Sequence, residues 1–270
     1  MSGKLQAGNF EFRGDEGAQY ITPLMMILPL LNDDSFISVV KPYTERPAID
    51  FTIDMLKSFG IRIEERENGF FIPGRQYYES PGELKVENDW ALSALWTSAG
   101  ASCAERGGRV EVTNLNPTSH QSYRSSNEVY PLIAQNFTDL NINAAEFPEL
   151  SSYFAALAIS KGATILISGV PQLKDKETNR LRSVGICFEQ YGVKFESDGD
   201  GFWVSGAAGG EYPENIKIDT MGDPWVFMSV VLASAAFKVP ITIANEYEAD
   251  KIYKDFLPDF KKLGGQYEII

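Results

Sequence analysis

Histidine is nearly absent from this chain, with His120 the single example in 270 residues. Any mechanism that needs a histidine pair is thereby excluded, and a lone histidine in a polar loop (NPTSHQSYR) is ordinarily a solvated one. Cysteine is almost as scarce. Cys103 and Cys187 sit in apolar helical contexts without CxxC spacing, which argues against a disulfide framework or zinc site and for buried free thiols in a reducing cytoplasm. Positive charge is also short: 24 Lys plus Arg stand against 37 Asp plus Glu, a formal charge of −13. That balance argues against a broad nucleic-acid or anionic-membrane surface, so an anionic ligand would have to be held by a local cluster. The longest apolar runs, PLMMILPLL and VFMSVVLASAAF, are too short to cross a bilayer, and the first fifteen residues contain no apolar export segment. GxSxG, Walker and HExxH motifs are missing as well, which leaves hydrolase and nucleotidase readings unsupported.

What the chain does have is repetition. Apolar, small-residue-rich segments of helix length recur at 17–31 (GAQYITPLMMILPLL), 89–104 (DWALSALWTSAGASCA), 148–160 (PELSSYFAALAIS) and 223–237 (DPWVFMSVVLASAAF). After each comes a β-branched run expected to form a strand: SFISVV, RVEVTNL, ATILISGV and VPITIAN. A more polar helix is predicted next, in RPAIDFTIDMLKSFG, HQSYRSSNEVYPLIAQNF, DKETNRLRSVGICFEQYG and ADKIYKDFLPDFKKLGG. Two of these helices pass through a glycine stop into IRIEERENGFFIPG and VKFESDGDGFWVSG, which read as strand pairs around a turn. The unit is helix, strand, helix, strand, strand, with a first helix apolar nearly all round and a second that is amphipathic. The second copy lacks the glycine-marked pair and reads as shortened. GRQYYESPGELKVEND, with Pro, Gly and no long apolar period, is the expected domain boundary.

PQLKDKETNRLR, Pro171 to Arg182, places four cations and two carboxylates within twelve residues. A helix opened by Asp175 would set Lys176 and Arg180 on one face with Glu177 beside them, a cationic cleft suited to a small phosphorylated or carboxylated molecule. The same alternation also serves i,i+4 ion pairs on a solvated face. Glu149 and Asp223 stand at predicted helix amino ends beside Pro148 and Pro224, where a carboxylate offsets the helix dipole; Glu149 there could equally serve as a base. Gln19 falls in the first turn of a buried helix after Gly17 and Ala18, where backbone amides can face an anion. Lys251, beside Asp250 at the opening of the last amphipathic helix, reads by default as an ion-paired surface lysine.

The repeat, together with KETNRL, the GDEGAQY entry, the RPAIDFTIDMLKSFG helix, FPEL and the closing KDFLPDFKKLGG, resembles the 5-enolpyruvylshikimate-3-phosphate synthase family, the 3-phosphoshikimate 1-carboxyvinyltransferases. The likeness runs through all 270 residues but covers only the later part of the family, whose first third has no counterpart. The resemblance implies an α/β fold, an inside-out α/β barrel built from repeated βαβαββ units. It implies residues 1–84 as the last unit of one domain and 85–270 as the second domain, three units with the first shortened. The implied reaction adds the hydroxyl of shikimate 3-phosphate to phosphoenolpyruvate and expels phosphate, with no metal or organic cofactor.

By the same resemblance, Gln19 stands near both ligands and Gln172 falls at a position contacting the acceptor's phosphate. Glu149 matches a carboxylate that binds the acceptor's hydroxyls and is a base candidate. Lys176, Glu177 and Arg180 match a lysine, an acid-base glutamate and a phosphoenolpyruvate arginine, and Lys251 matches a further phosphoenolpyruvate lysine. Asp223 matches the family's aspartate in D-H-R-M. The departures are specific. Gly17 and Ala18 replace two phosphate-holding serines. Glu45, Arg46, Pro47 and Ala48 stand at S-[KR]-P-Y, so a serine becomes a carboxylate, and Pro224, Trp225 and Val226 displace a histidine and an arginine. The expectation is therefore an enolpyruvyl transferase that needs a complementing amino-terminal part; the alternative is a catalytically inactive homologue acting as a binding or interaction scaffold. Self-association through a face left by the missing units is also expected. A cyclase acting on RNA ends, which shares a similar repeat, fits this acidic chain poorly.

Overall fold

The computed structural model of the chain describes residues 3–14, 18–40, 45–103, 109–134, 138–174, 179–206, 212–244 and 246–269. They group into two compact units, Met1–Asn88 with Asn116–Arg124, and Asp89–Leu115 with Ser125–Ile270.

The first unit is a βαβαββ run. Strand β1 (Asn9–Arg13) leads through a single 3-10 turn (Ala18–Tyr20) into helix α1 (Ile21–Ile27), then β2 (Ser35–Val40), α2 (Arg46–Ser58), β3 (Glu64–Arg66) and β4 (Gly69–Ile72). The sheet runs β1-β2-β4-β3, with β1 parallel to β2, β4 antiparallel to β2 and β3 antiparallel to β4. A parallel pair needs a long crossover, and α1 supplies it. The two-residue period of β2 buries Ser35, Ile37 and Val39. Ile37 and Val39 share one core with Ile21 and Met25 of α1, Ile49 and Leu56 of α2, and Phe70 and Ile72 of β4. The outer side of α1 and of the turns flanking it stays bare, with Tyr20, Met26, Ile27 and Leu30 about half exposed.

The second unit repeats the plan. Helices α3 (Trp90–Cys103) and α4 (Tyr130–Ala134) precede β5 (Asp139–Asn143), a turn at Pro148–Leu150, α5 (Ser151–Ser160), β6 (Thr164–Ser168), α6 (Arg180–Glu189), β7 (Lys194–Ser197) and β8 (Phe202–Ser205). These four strands run β5-β6-β8-β7, the same order and directions as in the first unit. A third copy starts with β9 (Ile216–Ile218), α7 (Pro224–Phe237), parallel β10 (Ile241–Ile243) and α8 (Phe256–Lys262). Helix α5 is buried from Ser151 to Ile159 and α7 over most of its length, as all-round apolar helices must be. Helices α3, α5 and α7 pack on one another. Small residues allow the close approach of α5 and α7, whose Ser152 and Ser229 hydroxyls meet at 2.6 Å.

The GFFIPG and GFWVSG phrases have one physical cause. A Cβ on Gly69 would lie 1.9 Å from the Ile37 carbonyl oxygen of β2, and a Cβ on Gly201 would lie 1.9 Å from the Ile167 carbonyl oxygen of β6. Only glycine lets the hairpin strand approach its neighbour so closely.

Three expectations are corrected. The run 109–115 is not a strand: it lies alongside α3, where the backbone nitrogen of Val110 is so close to Gly100 that a Cβ there would meet it at 2.9 Å, and Arg109 and Glu111 pair outward at 3.2 Å. The helix expected from Asp175 begins at Arg180, because Asn179 adopts a left-handed φ of 45° and its side chain caps the Arg182 amide. The last polar segment is not one helix but a 3-10 turn (Glu246–Lys251) followed by α8. No helix among the described residues is long and apolar enough to cross a membrane.

Candidate active site

The second unit gathers charged groups where three helices begin. Glu149 lies in the turn that leads into α5, Arg180 is the first residue of α6, and Asp223 is the N-cap of α7. Asp223 is buried, and its Oδ1 accepts from the amides of Trp225 (2.9 Å) and Val226 (3.2 Å), so the capping role read from the sequence is present. Its other oxygen, Oδ2, accepts from Arg180 Nε at 2.7 Å. Arg180 Nη1 stands 3.6 Å from Glu149 Oε1, is itself buried, and makes no hydrogen bond among the described residues.

This placement of Arg180 works against two ordinary tendencies. A cation at a helix amino end faces the positive pole of the dipole, and arginine is seldom as buried as the 8% exposure found here. Two carboxylates offset the cost, and a guanidinium nitrogen is left with donors to spare. A planar fork so placed is suited to a carboxylate or phosphate oxygen.

Lys251 closes the turn before α8 and donates from Nζ to the Gly222 carbonyl at 2.8 Å. It is thus held by the β9–α7 loop and not by Asp250, which corrects the sequence reading. Arg180 and Lys251 grip adjacent residues of that loop, Asp223 and Gly222. Gln172 is half-buried in the turn Pro171–Lys174, which packs against α6. Lys176 and Glu177 lie outside the described residues. No group of three or more metal-ligating side chains occurs among the described residues.

In the first unit, Gln19 is exposed in the turn before α1. The Ala18 amide that was expected to face an anion already has one: it donates to Glu45 Oε2 at 3.0 Å. Glu45 is held at φ 56°, a left-handed conformation that costs a non-glycine residue about 1–2 kcal/mol. The neighbouring Arg46 is spoken for, with Nε on Asp50 at 2.8 Å and the two terminal nitrogens on Glu65 at 2.9 and 2.8 Å. That fork raises the arginine's pKa and holds Glu65 below the usual carboxylate range. His120 pairs with Asp54 at 3.0 Å on an exposed surface.

Two functional-looking groups escaped the sequence reading. Thr220 and Glu248 are both buried, and the threonine hydroxyl donates to Glu248 Oε2. Nothing in NEYEADK marks Glu248 as buried. A cleft of about 610 Å³ lies elsewhere, between α7, β10, α8 and the 266–269 tail. Glu268 is the one charged residue lining it, so it offers an anion nothing.

A family model described as EPSP synthase (3-phosphoshikimate 1-carboxyvinyltransferase) matches residues 2–260. A 3-phosphoshikimate 1-carboxyvinyltransferase from Clostridium perfringens is 30% identical over 285 residues, covering 98% of this chain and 64% of the relative. Among solved structures, EPSP synthase from Acinetobacter baumannii aligns with a TM-score of 0.70 at 15% identity, over 100% of this chain and 66% of the other. The enolpyruvyl transferase NikO from Streptomyces tendae aligns with a TM-score of 0.69 at 15% identity, over 98% of this chain and 65% of the other. At these identities the structural likeness speaks for the fold alone, and the chain spans about 64% of the length of the curated relatives it matches. With the repeated βαβαββ sheets and a family match that runs nearly end to end, the chain belongs to the EPSP synthase family.

Proposed function

We propose that the chain carries the phosphoenolpyruvate side of an enolpyruvyl transferase site, and that it transfers enolpyruvyl to shikimate 3-phosphate when the rest of the family site is assembled with it. The observation that supports this most is Arg180: a buried cation at a helix amino end, steadied by Asp223 and Glu149, with Nη1 donors unused among the described residues. In this reading Arg180 and Lys251 take the carboxylate and phosphate of phosphoenolpyruvate, and Asp223 holds Arg180. Gln19 and Gln172 orient the acceptor. Glu149 accepts the proton of the attacking hydroxyl as its oxygen bonds to C2, and Glu177 with Lys176 supplies the proton to C3. Loss of a C3 proton and departure of phosphate then restore the vinyl group. No metal or organic cofactor enters these steps.

The proposal also takes residues 1–84 as the last repeat of one family domain and 85–270 as the second domain, in a cytoplasmic protein without a nucleic-acid or membrane partner. The bare side of α1 is its site of self-association. The experiment is phosphate release from phosphoenolpyruvate and shikimate 3-phosphate, with the chain alone and mixed with the amino-terminal third of a longer relative. Turnover in the mixture, lost in Lys251→Ala, is expected. No release in any mixture leaves the inactive scaffold as the better account.

A further inference from the structure

We propose that Glu248 is a positioning residue for this site, bracing through Thr220 the turn that carries Gly222 and Asp223. The inference rests on the reading that Arg180 and Lys251 receive an anion.

The turn from Asp219 to Asp223 is not self-supporting. Met221 and Gly222 both have positive φ, 56° and 78°, and the loop's own bonds are an aspartate turn from Met221 N to Asp219 Oδ1 (2.8 Å) and a backbone bond from Asp223 N to Thr220 O (3.1 Å). Two struts reach it from the 246–251 turn. One is Lys251 Nζ on Gly222 O; the other is Thr220 Oγ1 on Glu248 Oε2. Because Asp223 follows directly, the brace fixes both the carboxylate that holds Arg180 and the carbonyl that holds Lys251.

Glu248 is 4% exposed, and its second oxygen, Oε1, is buried without a hydrogen-bond partner among the described residues. A buried oxygen without a partner costs more when ionised than when neutral. Burial raises the pKa, opposed by the Thr220 hydroxyl, Lys251 and the Gly222 amide, while Asp219 pushes the same way as burial. The Cys187 thiol of α6 donates to the Asp219 carbonyl at 3.5 Å and feels the Glu248 charge. With its folded pKa raised, Glu248 binds more protons in the folded than in the unfolded state once pH exceeds the ordinary carboxyl value. Stability therefore falls as pH rises from there to the folded pKa, and the brace loosens over that window.

The test needs no ligand. Amide hydrogen exchange at Trp225 and Val226, whose N–H groups bond to Asp223 Oδ1, and the Arg180 Nε–H resonance report the turn directly in the full chain. Glu248→Ala is expected to speed exchange at both amides about tenfold or more and to shift the Arg180 resonance, with β6 amides unchanged. Glu248→Gln, a fixed neutral analogue, is expected to keep both signals and to remove the loss of protection that the native chain shows with rising pH. Thr220→Val repeats the Glu248→Ala result if that variant does not fold. Unchanged exchange at Trp225 and Val226 in Glu248→Ala or Thr220→Val overturns the proposal, as does a Glu248→Gln variant that keeps the native pH dependence. Phosphoenolpyruvate titrated into the native chain tests the anion reading separately, so a null there leaves the exchange result decisive for Glu248.

Discussion

Arg180 and Asp223, 43 residues apart in sequence, meet at 2.7 Å with side chains only 10% and 1% exposed. Asp223 does two jobs with two oxygens, capping α7 with one and holding the guanidinium with the other. The pair joins the amino ends of α6 and α7 and sets the direction of Nη1.

Breaking that pair from one side leaves a buried charge alone. Arg180→Met is expected to cost about 3–5 kcal/mol. At about 2–4 °C per kcal/mol for a chain of this size, melting should fall by roughly 10 °C. Adding Asp223→Asn, which keeps an amide capable of capping, should recover part of the loss. A double variant less stable than Arg180→Met by thermal denaturation would show that the two residues are not coupled in this way.

Glu45 should govern phosphate access in the first unit. Its carboxylate occupies the Ala18 amide, and a phosphate brought to the same amide would meet a like charge. Glu45→Ser is expected to improve affinity for shikimate 3-phosphate about tenfold or more, read by calorimetry. Equal affinity in the two proteins would mean the acceptor's phosphate docks elsewhere.

Gly69 and Gly201 should be equally intolerant of a side chain. Alanine at either drives a Cβ into a strand carbonyl, for a cost of about 1–3 kcal/mol seen as a lowered melting temperature. Gly82, where nothing lies within 4 Å, is the control for steric cost, although its φ of 80° carries its own strain. A Gly201→Ala protein as stable as the native one would refute the close approach.

Cys187 is buried on α6, and burial pushes its thiol up to about 12, with Asp219, Glu248 and Asp223 adding to the effect. The thiolate is the reactive form, so iodoacetamide at pH 8 should leave the Cys187 peptide unmodified in native protein and label it in denaturant. Labelling of native Cys187 at the rate of a free thiol would contradict that burial.

Much of this architecture was legible because its physics is local. Segments such as SSYFAALAIS and WVFMSVVLASAAF are apolar on every side, which only a surrounded helix permits, and the GFF and GFW phrases mark where a strand must come close to its neighbour. What stayed hidden depends on tertiary partners. The β-branched run at 109–115 had strand composition, yet it lies beside α3. Asp175 looked like a helix opener because it precedes the periodic residues, but Asn179 can take the left-handed cap conformation next to Arg180. Strands β1, β5 and β9 are short and precede the apolar helices, where no long alternation announces them. In the site, Glu149, Arg180, Asp223 and Lys251 could be named singly. That Asp223 holds Arg180, that Lys251 is on Gly222 and that Glu248 is buried behind Thr220 are relations between elements, which one-dimensional pattern does not encode.

The measurement that bears most directly on the central claim is a calorimetric titration of phosphoenolpyruvate into the native chain and into Lys251→Ala, with and without shikimate 3-phosphate. The account expects saturable binding to the native chain, strengthened by shikimate 3-phosphate and reduced about tenfold or more without the Lys251 cation. No heat at millimolar phosphoenolpyruvate, or binding indifferent to Lys251, would contradict it.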